Sequence, residues 1–176
     1  MKFVIVYLIR GKAEKYHQRL VRNIGPKFGE NYMIEHPLPS HITLKSPFEL
    51  RNSNELEKIL KLFVAKQKTS SIIFGGFGNF KRFVSFVKIK LSKQALKTQA
   101  DLLNELKRLK IKPHEFDLDF KPHATVSYGN TKDNFNKIWN HLKKLEEPKF
   151  NLKFDNLTIL KKVGNSWKNY KTFNLE

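Results

Sequence analysis

Two short stretches of the chain share a pattern suited to proton transfer. In "PSHITLKSPF", His41 and Thr43 stand two residues apart inside an apolar run, and in "KPHATVSYG" His123 and Thr125 repeat the spacing. Each pair has a proline just upstream. In a β-strand, residues i and i+2 point to one face and their neighbours to the other. His41 and Thr43 then share a face while Ile42 and Leu44 turn to the core. The second copy sets His123 and Thr125 against Ala124 and Val126. Such strands line a groove with polar groups and still keep a buried side.

Phosphoester cleavage suits two such pairs. One imidazole takes a proton from an attacking water or hydroxyl, and the other gives a proton to the leaving oxygen. Histidine titrates near neutrality, so one ring can wait neutral and the other protonated. The threonine hydroxyls, with a lysine or backbone amides, can hold the non-bridging oxygens where negative charge sits in the transition state. No set of histidines and carboxylates stands at ligand spacing, so neither a metal nor another cofactor is expected. One His-x-Thr strand alone is more often structural than catalytic. The doubling points to a site.

The elements that position these pairs can be read from periodicity. Residues 3–9 read as a buried strand, and Ala13 to Phe28 as a helix that loses order near "IGPKFG". After a loop with Pro37 and Pro39 comes the first motif strand. A helix follows in "NSNELEKILKLFVAKQ", capped by Ser53 or Asn52. "SIIFGGFGNF" and "RFVSFVKIKL" read as two strands joined at "KR", and Ser92 to Lys110 as a helix. The second motif strand, a helix over "KDNFNKIWNHLKKLEE" and a C-terminal hairpin turning at "VGNS" complete the chain. Segments 36–80 and 118–160 share one order: proline, His-x-Thr strand, turn, helix, long apolar strand.

"HITL" and "HATV" resemble the paired H-x-T-φ motifs (φ apolar) of the two-histidine phosphoesterase superfamily, which includes 2′-5′ RNA ligase-like proteins and cyclic nucleotide phosphodiesterases. "FGNFKRFVSFVKI" is similar to that family's central hairpin and "SWKNYKTFNL" to its closing strand. The resemblance implies an α+β fold, one bilobal domain over residues 1–176. Its two pseudo-symmetric lobes would each hold an antiparallel sheet flanked by helices, around a central groove. It also implies metal-independent hydrolysis of a 2′,3′-cyclic phosphate or a 2′-5′ linkage in an RNA-like or nucleotide substrate. His41 and His123 would be the acid–base pair, and Thr43 and Thr125 the phosphate holders. Which histidine is the acid stays open, and so does RNA ligation. Better-known ligase-like members carry an aromatic soon after the first motif and an arginine after the second. Here Lys45, Ser46 and Phe48 follow the first, and Tyr128 follows the second.

Lys45 and Tyr128 are therefore candidate substrate contacts, through phosphate or by stacking on a base. Equally, Lys45 reads as a solvated strand-end charge and Tyr128 as a half-buried wall. "FGGFGNF" does not match a phosphate loop and reads as a strand with a bulge. His36 falls in the proline loop. His17, His114 and His141 read as surface or boundary residues, and "HEFDLDF" as a strand with an acidic edge.

Composition sets the bounds. The chain has 34 Lys and Arg against 16 Asp and Glu, a formal +18 that attracts polyanions and phosphorylated substrates, or that equally reads as a well-solvated Lys-rich surface. With no cysteine it has no disulfide, no thiolate site and no cysteine nucleophile. The apolar run of "MKFVIVYLIRGK" is too short to span a membrane and lacks a signal-peptide cleavage site. A cytoplasmic monomer with no membrane partner is expected. A non-catalytic RNA-binding protein with the same basic groove is the alternative from another class, and a structural protein with two core histidines is a third.

Overall fold

A computed structural model describes residues 1–80, 83–128 and 132–176. The β-branched run of β1 (Lys2–Leu8) buries Phe3, Ile5 and Tyr7 on one face and leads into α1 (Gly11–Lys27). Ala13, His17, Leu20 and Ile24 form the inward stripe of α1, and Pro26 stands in its last turn. A short helix, α2 (Tyr32–Glu35), precedes β2 (His41–Glu49). Next comes α3 (Asn54–Val64), for which Ser53 takes the cap position, although its hydroxyl donates to Glu57. Then follow β3 (Ser70–Phe80), β4 (Val84–Leu91) and α4 (Lys93–Leu106), whose first turn is capped by the Ser92 hydroxyl accepting from the Ala95 amide. The turn expected at Lys81 and Arg82 lies outside the described residues.

A 3₁₀ turn (Lys107–Leu109) and the short helix α5 (Glu115–Leu118) lead to β5 (His123–Tyr128), and α6 (Lys132–Leu142) to β6 (Lys149–Phe154). β7 (Asn156–Val163) and β8 (Ser166–Asn174) form the closing hairpin, with Gly164 at φ +57° in its turn. The C-terminal stretch is thus not one hairpin, because it breaks at Asp155. β6 goes to one sheet, and β7 and β8 go to the other.

The strands form two antiparallel four-stranded sheets, ordered β2-β1-β7-β8 and β5-β4-β3-β6. One face of each sheet shares a continuous core with the helices, and Tyr7 of the first sheet stacks on Phe154 of the second at 5.4 Å. The expected α+β architecture is present, but its repeat runs differently. In each sheet the motif strand is an edge strand paired with the strand that precedes it, giving β1-α1-β2 and β4-α4-β5. The downstream units are not equivalent: α3 carries the chain from one sheet to the other, whereas α6 returns it to the same sheet.

"HEFDLDF" is not a strand. His114 caps α5 in a reciprocal box with Asp117, its ring accepting from the Phe116 amide while Asp117 accepts from its own. A histidine that caps and a buried Asp117 break the alternation that the spacing of acidic residues suggested.

Candidate active site

The motif strands β2 and β5 lie against each other, each at the edge of its sheet. His41 is opposite Leu8 and Thr43 opposite Val6; His123 is opposite Lys88 and Thr125 opposite Phe86. Ile42, Leu44, Ala124 and Val126 are buried, and the four polar residues stand partly accessible on the other face. The two-residue alternation therefore operates in both strands.

The histidines are held alike. His41 Nδ1 is 2.7 Å from the Pro39 carbonyl, and His123 Nδ1 is 2.7 Å from the Lys121 carbonyl. A carbonyl can only accept, so each Nδ1 carries the proton and donates it. Each ring thereby keeps Nε2 for other chemistry. The carbonyl two residues upstream fixes both ring angle and tautomer. Burial pushes the His41 imidazole below its usual range, the Pro39 carbonyl opposes this, and the charge of His123 adds to it. His123 is also lowered by burial, against the pull of the Lys121 carbonyl. The His41 ring thus senses the charge of His123.

A second identity stands just beyond each motif. Ile5 is opposite Lys45 while the next residue, Val6, is opposite Thr43, so Leu44 is an extra residue in β2. Likewise Ser85 is opposite Ser127 and Phe86 opposite Thr125, leaving Val126 extra in β5. A bulge of this kind turns the following side chain to the unexpected face. Lys45 and Ser127 are both buried as a result.

This bulge overturns the reading of Lys45 as a substrate contact or a solvated charge. The residue is 1% exposed, its Nζ lies 2.8 Å from Asp117 Oδ2, and it also donates to the Ser46 carbonyl. Asp117 further accepts from the Ser46 and His114 amides. Burial raises the Asp117 pKa, but Lys45 and these amides outweigh it and hold the carboxyl below its usual range. The pair braces the strand beyond the first motif. It does not face the motif histidines.

Tyr128 falls on the motif side of the bulge, 41% exposed, with its ring 5.1 Å from that of Tyr32. Burial of the phenol and the nearby Tyr32 raise its pKa, and the Thr125 side chain lowers it. His36 packs against Tyr32 at 4.5 Å with the rings tilted, and Tyr32 meets Tyr128, so the loop before the first motif reaches the end of the second. Phe80 and Phe86 pack on the His123 ring at 4.8 and 5.1 Å. Gly78 makes that possible, because a Cβ there would lie 2.4 Å from the Phe86 ring.

His17 belongs to the site's frame, not to the surface. Its Nε2 donates to the Thr125 carbonyl at 2.9 Å, so its Nδ1 accepts from the Ser40 hydroxyl, also at 2.9 Å. One ring on α1 therefore ties the residue before His41 to a residue of the second motif. Burial pushes its pKa down to about 4, against the pull of the Thr125 carbonyl. The signal was present in the sequence, since His17 occupies the apolar stripe of its helix.

Among the described residues, no three His, Cys, Asp or Glu side chains gather as a metal would require. Two cavities, of 280 and 430 Å³, are lined by α3 with α4 and by β2 with the segment before α5; neither is lined by a motif histidine or threonine. No described helix is long and apolar enough to cross a membrane.

The family model of the 2′-5′ RNA ligase superfamily matches residues 14–166, which include both motifs. The chain belongs to that superfamily. The resemblance carried by the paired His-x-Thr motifs, that of the two-histidine phosphoesterases, is therefore the correct one. Solved structures agree on the fold. TT0787 of Thermus thermophilus is similar with a TM-score of 0.67 at 14% identity, covering 99% of this chain and 98% of that one. E. coli LigT complexed with 3′-AMP is similar with a TM-score of 0.63 at 14% identity, covering 99% and 97%. No curated protein matches the chain in sequence.

Proposed function

We propose that this superfamily member is a phosphoesterase that hydrolyses a 2′,3′-cyclic phosphate or a 2′-5′ linkage in an RNA-like substrate, using His41 and His123 without a metal. The observation that carries the reading is the matched pair of Nδ1-to-carbonyl bonds, which leaves both Nε2 atoms, on strands that lie against each other, without a hydrogen-bond partner among the described residues. In opening a cyclic phosphate, one Nε2 takes a proton from water as its oxygen bonds to phosphorus. The other Nε2, protonated, gives its proton to the departing ribose oxygen as that P–O bond breaks. Thr43 and Thr125 donate to the non-bridging oxygens, and Tyr128 contacts the adjoining base or phosphate. The complex of LigT with 3′-AMP supports a nucleotide ligand for this chain also.

The test is incubation with 2′,3′-cyclic nucleotides and 2′-5′-linked oligonucleotides in EDTA, with products separated by chromatography. Wild type should turn over, and His41→Ala and His123→Ala should each lose about 10²–10⁴ in rate, the usual worth of a general acid or base. Turnover retained by the double variant would refute the acid–base pair. RNA binding without turnover by either protein would favour a binding module, which the +18 charge also suits.

A further inference from the structure

The side of the second sheet that bears His123 is not a neutral wall. None of its four strands, β3 to β6, contains an aspartate or glutamate. On the face shared with His123, Lys88 of β4 is directly opposite that histidine. Two residues on, roughly 7 Å along the strand, Lys90 is opposite Ile73 of β3, and Ile73 is opposite Asn151 of β6. Lys149 and Lys153 flank Asn151 on the same face, because each is two residues away. All four lysines are exposed.

Lysines gathered on one sheet face repel one another, more strongly at low salt. Elsewhere lysines offset this with partners, as in Lys58–Glu55, Lys97–Asp101, Lys121–Asp119 and Lys171–Glu57. None of the four sheet lysines enters an ion pair among the described residues. The carboxylate of Glu147 borders the patch beside Gly76 and the Lys88 stem, and that of Asp155, two residues beyond Lys153, is paired with Arg10. The wall next to His41 differs: Leu8 and Val6 stand there, and Lys162 on the same face is stacked over Trp167 at the far end of β7.

We infer that Lys88, Lys90, Lys149 and Lys153 form a track for the phosphodiester backbone of single-stranded RNA, beginning at His123. The inference rests on the phosphoesterase reading and narrows it: the substrate is an oligonucleotide whose terminal or scissile phosphate lies between the histidines while its chain crosses the second sheet. Lys88 serves the phosphate nearest the reaction. Lys90 and Lys153 serve phosphates further along.

The experiment compares K90Q/K153Q with K61Q/K66Q, which removes the same charge from exposed positions on and just after α3. Anisotropy of a labelled ten-nucleotide RNA ending in a 2′,3′-cyclic phosphate is read across a salt series, beside turnover of that RNA and of a cyclic mononucleotide. K90Q/K153Q should bind about tenfold more weakly at low salt. Its log–log salt slope should be shallower by about 1.4, at roughly 0.7 for each single-strand phosphate contact. It should lose kcat/KM on the oligonucleotide and keep it on the mononucleotide. Unchanged affinity and slope in K90Q/K153Q, or equal losses in K61Q/K66Q, would overturn the track. Absence of turnover of both substrates by the wild type, with the lysine dependence of binding intact, would refute the opening of a cyclic phosphate and leave the track standing.

Discussion

Replacing His17 with glutamine separates its hydrogen bonds from its titration. Glutamine offers an amide NH2 to donate and a carbonyl oxygen to accept, so it can serve the Thr125 carbonyl and the Ser40 hydroxyl but cannot take up a proton. In the folded protein the His17 pKa lies at about 4, against an ordinary 6.5. The sign follows from the unfolded chain binding the proton first as pH falls. Stability from this group is complete above pH 6.5, declines through the window between the two values, and is fully lost below about 4. The difference works out to about 2 kcal/mol between pH 7 and pH 5, and about 3 kcal/mol by pH 4. Urea unfolding followed by the fluorescence of Trp139 and Trp167 measures it at each pH. The other titrating groups are common to both proteins, so wild type should lose that much more than His17→Gln across the window. Parallel stability curves would show that the ring is not held neutral between the two strands, and the reasoning would fail.

Three further outcomes are expected. Lys45→Met leaves the Asp117 carboxylate buried without its cation and should cost about 3–5 kcal/mol in urea unfolding, while Lys45→Met/Asp117→Asn removes the stranded charge, keeps an acceptor for the Ser46 or His114 amide and recovers part of it. Both motif histidines have pKa values pushed below the usual range, so the kcat/KM profile should be a bell with its maximum on the acid side of 6.5; a maximum well above that would contradict the burial of the pair. Gly78→Ala drives a methyl into the Phe86 ring, which packs on His123. It should lower melting stability by about 1–3 kcal/mol and reduce turnover of even the smallest cyclic nucleotide.

What could be read from the sequence were the features with a short period. The H-x-T spacing placed His41, Thr43, His123 and Thr125 on their faces because alternation needs only local geometry. One residue later that rule fails in both strands, since Leu44 and Val126 are bulged and the register slips. Lys45 therefore lies in the core beside Asp117, a partner from a distant part of the chain that nothing local predicts. The acidic alternation around Asp117 was equally deceptive, because its carboxylate closes a capping box. His17 shows a different gap. Its place on an apolar stripe was visible, but its contacts, Ser40 and Thr125, come from two other elements. The break at Asp155 was hidden because a single residue separates β6 from β7, which go to different sheets.

The sheet orders bear on how the chain assembles. β3 to β6 come from one continuous stretch of sequence, so the lysine-bearing sheet can pair as soon as residue 154 is available. The first sheet has to wait, because β1 gains its inner neighbour only from β7. During synthesis β1 and β2 would stand as a lone pair with an apolar edge and an unpaired ladder, the kind of edge that invites wrong pairing. The His17 contact to Thr125 offers that pair a docking point on the finished sheet before its own is complete. A vectorially made chain would therefore align its two histidines early and close the strand order around them last.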